Sequence, residues 1–196
     1  MAEPETAVAS TTGVADPAPL GLAAFALTTF LLSAKNAGWT HGGDAWLGYA
    51  FAYGGLCQLL AGMWEYRRNN TFGATAFGTY GGFWIGLFLY ILLASGKSTN
   101  VSNDLGWILL AFAIFNTYML ISAARVNMAV FAVFLTLEIT EILLFIGNFA
   151  GNTTIVKIGG IVGVVTALVA WYTSFAGVKN SLGGRLVLPV GRPMDL

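Results

Sequence analysis

The sequence predicts an all-α, polytopic membrane protein of six transmembrane helices, and three observations carry that prediction. Of its 196 residues, 57% are hydrophobic and only 9% are Asp, Glu, Lys or Arg, where a water-facing domain carries about 25% charged residues. Apolar blocks of about 20 residues, the length that crosses a bilayer, recur along the whole chain. The joints between them are short and polar or glycine-rich, leaving no room for a soluble domain. Helices suit the spans because backbone groups facing lipid must be satisfied within their own segment.

The elements follow in order. Residues 1–15, "MAEPETAVASTTGVA", are acidic and small-polar, unlike the basic start of a cleavable signal, and read as a disordered cytoplasmic tail. A six-helix transmembrane domain is expected over 16–178. Its first span, Ala18–Asn36, opens on Asp16-Pro17-Ala18-Pro19. Asp16 is the expected N-cap, its carboxylate accepting orphan N–H groups, and proline is tolerated in a first turn that has no use for its missing donor. The partial positive charge of that helix start is also a place where a small anion can dwell. The second span, Trp46–Tyr66, lies between "NAGWTHGGD" and "RRNNTFG". The third, Ala74–Ser95, carries Gly78, Gly82 and Gly86 four apart, a flat stripe for close helix contact. "SGKSTNVSND" precedes Leu105–Ala124, "RVN" precedes Met128–Phe149, and "GNTT" precedes Ile155–Val178, which bears the shorter row Gly159 and Gly163. Residues 179–196 form a C-terminal cytoplasmic tail.

Charge sets the orientation. With the N-terminus inside, the inner segments hold Arg67, Arg68, Arg125, Lys179, Arg185 and Arg192, and the outer joints hold or adjoin Lys35, Lys97 and Lys157. Every arginine falls on one side, which the positive-inside rule reads as N-in/C-in, in a multi-pass protein of the cell membrane. The same composition excludes other classes. Net charge is zero and no basic cluster tracks a phosphate backbone, so nucleic acid is not a partner. Cys57 and His41 each stand alone, which excludes a disulfide and a multi-cysteine metal site. With no nucleophile set, ligand cluster or phosphate loop, neither an enzyme nor a cofactor or metal is expected.

Glu138 and Glu141 stand out on physical grounds. They lie near the middle of the fifth span, three residues apart and so on one face. A charged carboxylate at that depth costs about 3 kcal/mol on insertion scales, and no Lys or Arg is embedded deeply enough to pair with either. One reading makes at least one of them a proton-linked site facing a pathway; the other makes them a hydrogen-bonded pair between helices. Glu65, beside Arg67 and Arg68, reads as a structural acid at the membrane interface. Asn36, Asn70, Asn116, Asn148 and Asn152 read as interhelical hydrogen-bond partners.

"DPAPLGLAAFALTTFLL" resembles the "NPAPLGL" signature that opens the first helix of the acetate uptake transporter family, which includes bacterial succinate–acetate permeases and fungal acetate transporters. "AYGGLCQLLAGMWEYRRNNTFGATAFGTYGGFW", "LLFIGNFAGN" and "GRLVLPVG" extend the likeness in order and at the family's spacing. The resemblance covers nearly everything after the tail, with Asp16 standing where the signature usually has Asn. It implies a six-helix protomer in a hexamer, each protomer with its own pathway, carrying acetate and in some members succinate with protons. The signature residues are Asp16, Pro17, Pro19, Leu20 and Gly21. The family's narrowest point, a ring of Phe, Leu and Tyr, falls by motif on Phe25 and Tyr80, with Leu137 as the leucine and Leu135 as its alternative. An apolar ring holds few waters and so resists hydrated ions, while a tyrosine adds one hydrogen-bond donor. Thr28 and Thr29 share the helical face of Phe25 and are candidates to line the path, as are Asn148 and Asn152 in the "GNFAGN" stretch. The expected partners are a small carboxylate, protons, lipid and further copies of the chain. Two other readings compete: a hexameric channel for a neutral solute such as urea, and an acid-responsive sensor that transports nothing. The second lacks a long loop or appended domain to pass on a signal.

Overall fold

A computed structural model describes residues 13–42, 44–183 and 187–195. Among them the chain is helical and has no strand. Five helices are long and apolar enough to cross a membrane: α1, Ala18–Asn36; α3, Thr71–Lys97; α4, Val101–Ala123; α5, Met128–Phe149; and α6, Thr153–Ser181. Between α1 and α3 runs a helical stretch, α2, over residues 46–67. It consists of Trp46–Tyr49, a π-helical Ala50–Cys57 and Gln58–Arg67. The chain is therefore a multi-pass membrane protein, as its composition requires. The disordered tail expected at 1–15 lies mostly outside the described residues, as does Arg185.

Most helix starts are asparagines. The side chains of Asn70, Asn100, Asn127 and Asn152 each accept from an N–H in the first turn of α3, α4, α5 and α6, satisfying donors that no helix can satisfy itself. Asn152 is thus a cap, while Asn70 both caps α3 and bonds across to Glu65 of α2. At α1 the cap is Pro17, one residue later than expected. Asp16 still accepts the Ala18 N–H at 3.1 Å and is paired with Arg68, so it joins the start of α1 to the end of α2. Asn69 at φ 58° closes α2, filling the left-handed position that follows many helices.

α1 packs along α6 and against α2, α2 against α3, and α5 between α4 and α6. Glycines permit the closest approaches. A Cβ on Gly21 would stand 2.7 Å from the Phe77 ring, and one on Gly62 would stand 2.7 Å from the Gly78 nitrogen. Gly159 and Gly163 likewise press against α5 and α1, whereas nothing lies within 4 Å of where a Cβ would stand on Gly82 or Gly86. The two glycine rows therefore differ: that of α6 is internal, and that of α3 lies mainly on the outside of the protomer. Trp46 and Trp84 are core residues. α6 reaches Ser181, and the segment after it is tied back to the bundle. Tyr172 donates to the Pro189 carbonyl at 2.7 Å, and the Ala129 N–H donates to that of Val190 at 2.9 Å.

Candidate functional site

Three cavities lie in file between the helices. The first, about 90 Å³, lies toward the Arg68 end and is lined by Phe25, Gln58, Glu65, Asn70, Tyr80 and Leu137 among others. The second, about 40 Å³, is lined by Phe25, Thr29, Ser33, Tyr80, Leu137 and Glu141 among others. The third, about 140 Å³, opens toward the Lys35 end beside Asn36, Trp46 and Asn148. The first two cavities share three side chains, Phe25, Tyr80 and Leu137, which form the partition between them. These come from α1, α3 and α5. The Phe25 and Tyr80 rings meet edge to face at 5.8 Å. Leu135, the alternative leucine, is exposed on the outer face. The second and third cavities share Leu32, Asn36, Phe83, Leu109 and Leu144.

Polar groups at the partition form one network. The Tyr80 hydroxyl donates to Asn116 Oδ1 at 3.0 Å and also faces Glu141 Oε1 at 3.4 Å. Asn116 Nδ2 donates to the Phe134 carbonyl at 2.9 Å and to Glu138 Oε2 at 2.6 Å. Thr117 donates to Glu138 Oε1 at 2.9 Å. The two glutamates therefore part company. Glu141 is buried, lines the second cavity and keeps Oε2 without a partner. Glu138 is half-buried, lines none of the three cavities and holds Asn116 instead. Residues three apart on a helix can turn toward different neighbours across the width of one face, which spacing alone does not resolve.

The remaining candidates divide in the same way. Thr29 lines the second cavity with its hydroxyl unpartnered. Thr28 instead donates to the Ala24 carbonyl at 3.0 Å and the Tyr49 carbonyl at 3.3 Å, and it packs against Gly54 of α2. Asn148 lines the third cavity and accepts from Ser102 at 3.1 Å. Asn152 caps α6 and lines none of the three. Of the signature, Leu20 is exposed and Gly21 makes room for Phe77, while Pro19 accepts from Ser174 at 2.6 Å. The first turn of α1 thus serves packing more than the cavities. At the far end Lys35 is bonded to Asp44, which holds that carboxyl below the usual carboxylate range against a weaker opposing effect of burial.

Sequence reasoning missed Gln58, and read Glu65 as a structural acid without placing it on a cavity. Both are wholly buried and line the first cavity. Glu65 accepts from Asn70 at 2.8 Å rather than from the arginines that follow it. The signal was present: two polar residues seven apart, and so on one face, inside an apolar helix.

The comparisons with known proteins agree with one another. The sequence profile of the GPR1/FUN34/yaaH family matches residues 1–192. Over 197 residues the chain is 42% identical to acetate permease A of Emericella nidulans, covering 90% of this chain. It spans less than two thirds of that fungal protein, 65% of its length. It is 37% identical over 182 residues to the succinate-acetate/proton symporter SatP of Escherichia coli K12, covering 92% of this chain and 97% of that one. Among solved structures, the bacterial acetate channel SatP superimposes with a TM-score of 0.86 at 36% identity, over 91% of this chain and 99% of the other.

Proposed function

The chain belongs to the GPR1/FUN34/yaaH family, and on that premise we propose that it carries acetate, and short carboxylates such as succinate, across the cell membrane with a proton. The path in this reading is the file of cavities. The observation that supports it most is the partition of Phe25, Tyr80 and Leu137 between two cavities. A ring this apolar holds little water and yields most readily to a small solute with its charge neutralised. On one side of it Glu141 offers an unpartnered carboxyl oxygen, and in the ring the Tyr80 hydroxyl can serve a passing carboxyl. Glu141 is the group that takes and returns the coupled proton.

The remaining features fit the same reading. α2 is the sixth crossing, since about 1.5 Å per residue carries it over a hydrocarbon core of about 30 Å. The Arg68 end faces the cytoplasm. Protomers assemble as a hexamer with one path each, and the open Gly82 and Gly86 of α3 offer a neighbour close approach. Lipid covers the rest of the apolar exterior.

Labelled acetate flux into proteoliposomes at clamped pH, with and without an imposed proton gradient, tests this. Protein-free vesicles correct for acid that crosses lipid unaided. Gradient-driven accumulation, competed by acetate and succinate but not by urea, is expected. Uptake of urea that ignores acetate would replace this reading with a neutral-solute channel, and no flux at all would leave the sensor.

A further inference from the structure

The first cavity is walled almost wholly by alkyl and aromatic groups, yet Gln58 at 1% and Glu65 at 0% exposure line it. Each keeps one oxygen, Oε1, without a hydrogen-bond partner. Buried acceptors left unmade are costly, and a native protein that retains them usually has a use for them. The Glu65 carboxyl is held in place. Its Oε2 accepts from Asn70 Nδ2 at 2.8 Å, and Asn70 is fixed in turn because its Oδ1 accepts the Gly73 N–H at 3.1 Å. Gly73 leaves room for it, since a Cβ there would stand 2.8 Å from Glu65 Oε1. The charged groups beside it are Asp16 and Arg68, and these are bonded to each other.

Two free acceptors in an apolar chamber suit a guest that brings its own O–H and repel one that brings a negative charge. We propose that Glu65 is a proton-exchange station for the permeating carboxylic acid on the Arg68 side of the ring. The undissociated acid bonds first to Gln58 Oε1, about two helical turns nearer the ring, and then to Glu65 Oε1. There the acid's O–H bond breaks and an O–H bond forms on Glu65. The acid leaves as its carboxylate past Arg68, and the proton follows to water at the mouth. Export runs the same steps in reverse. The inference rests on the transport reading above and adds a second carboxyl, across the ring from Glu141.

The test uses the full chain in proteoliposomes, with labelled acetate, a lumenal pH dye and a potassium–valinomycin potential. Glu65→Gln keeps the Asn70 bond but cannot exchange a proton. It is expected to slow acetate flux at least tenfold with one proton still delivered per acetate, because an acid that cannot hand over its proton in the chamber must reach the mouth undissociated. Asn70→Asp keeps the α3 cap and guards against misfolding of the first variant. It sets a second carboxylate beside Glu65, and such a pair holds a proton more tightly than one does, so the pH profile of flux moves up by about one unit. Wild-type acetate flux in Glu65→Gln, or an unmoved profile in Asn70→Asp, overturns the inference while leaving acetate transport intact. Absence of acetate flux in the wild type overturns both.

Discussion

The Tyr80 hydroxyl has one proton and two acceptors, and which acceptor it serves is decided by an asparagine it merely touches. Asn116 cannot turn over, because its Nδ2 is committed to the Phe134 carbonyl and to Glu138. Its Oδ1 must therefore face Tyr80. Glu138 acts on the ring through this bond, as an acceptor and not as a proton carrier. Glu138→Gln, which retains an acceptor oxygen, is expected to leave acetate flux and its proton coupling within about twofold of wild type. Asn116→Leu leaves Tyr80 only the longer contact with Glu141 and Glu138 only the bond from Thr117, and should lower flux roughly tenfold, the equivalent of about 1.4 kcal/mol. Glu141→Gln should abolish coupling while the ring stays intact. Lumenal pH and labelled acetate, recorded together, separate the three. Undiminished coupling in Glu141→Gln would remove that residue from the proton path.

At the scale of elements, the π-helical stretch of α2 sets how α1, α2 and α3 meet. A Cβ on Gly54, inside that stretch, would stand 2.6 Å from Thr28 Oγ1 and 2.9 Å from Trp84 Cδ1. Gly54→Ala should therefore cost about 1–3 kcal/mol, the usual range for overpacking, seen as a lower unfolding midpoint in detergent. The loop between α1 and α2 is held by Lys35 bonded to Asp44, with Trp46 Nε1 donating to the same oxygen at 3.2 Å. Because Asp44 is lowered in the fold, its contribution is present above the ordinary carboxylate range and is lost as pH falls through the lowered value. The pair is exposed, so Asp44→Asn should cost no more than about 1 kcal/mol near neutral pH. That difference in midpoint should close as the pH drops below about 4. A difference that persists in acid would assign the loop's stability to other contacts.

At the scale of the whole molecule, the bundle is two groups of helices joined through α1 and α6, and the file of cavities runs where they face one another. The internal glycine row of α6 is spent within the protomer, and the row of α3 is left open. Gly82→Leu should accordingly leave the protomer folded while reducing the largest species seen by mass photometry in detergent. An unchanged assembly would show that lipid, and not a neighbouring copy, covers that face.

The sequence by itself determined the solvent and the architecture. An apolar run of sufficient length can only be a span, and polar joints can only lie between spans, so class and helix order needed no coordinates; α1 and α5 fall on their expected residues. It also determined, through the likeness at Phe25 and Tyr80, which side chains to look for. Only the tertiary structure decided what each polar group within the spans does. Glu141 and Thr29 reach a cavity while Glu138 and Thr28 do not, and Glu65 lines a chamber together with Gln58. The physical reason is that helical periodicity fixes a residue's face to within a neighbour or two. A hydrogen bond or a cavity wall is fixed to fractions of an ångström by side chains that lie far away in the sequence.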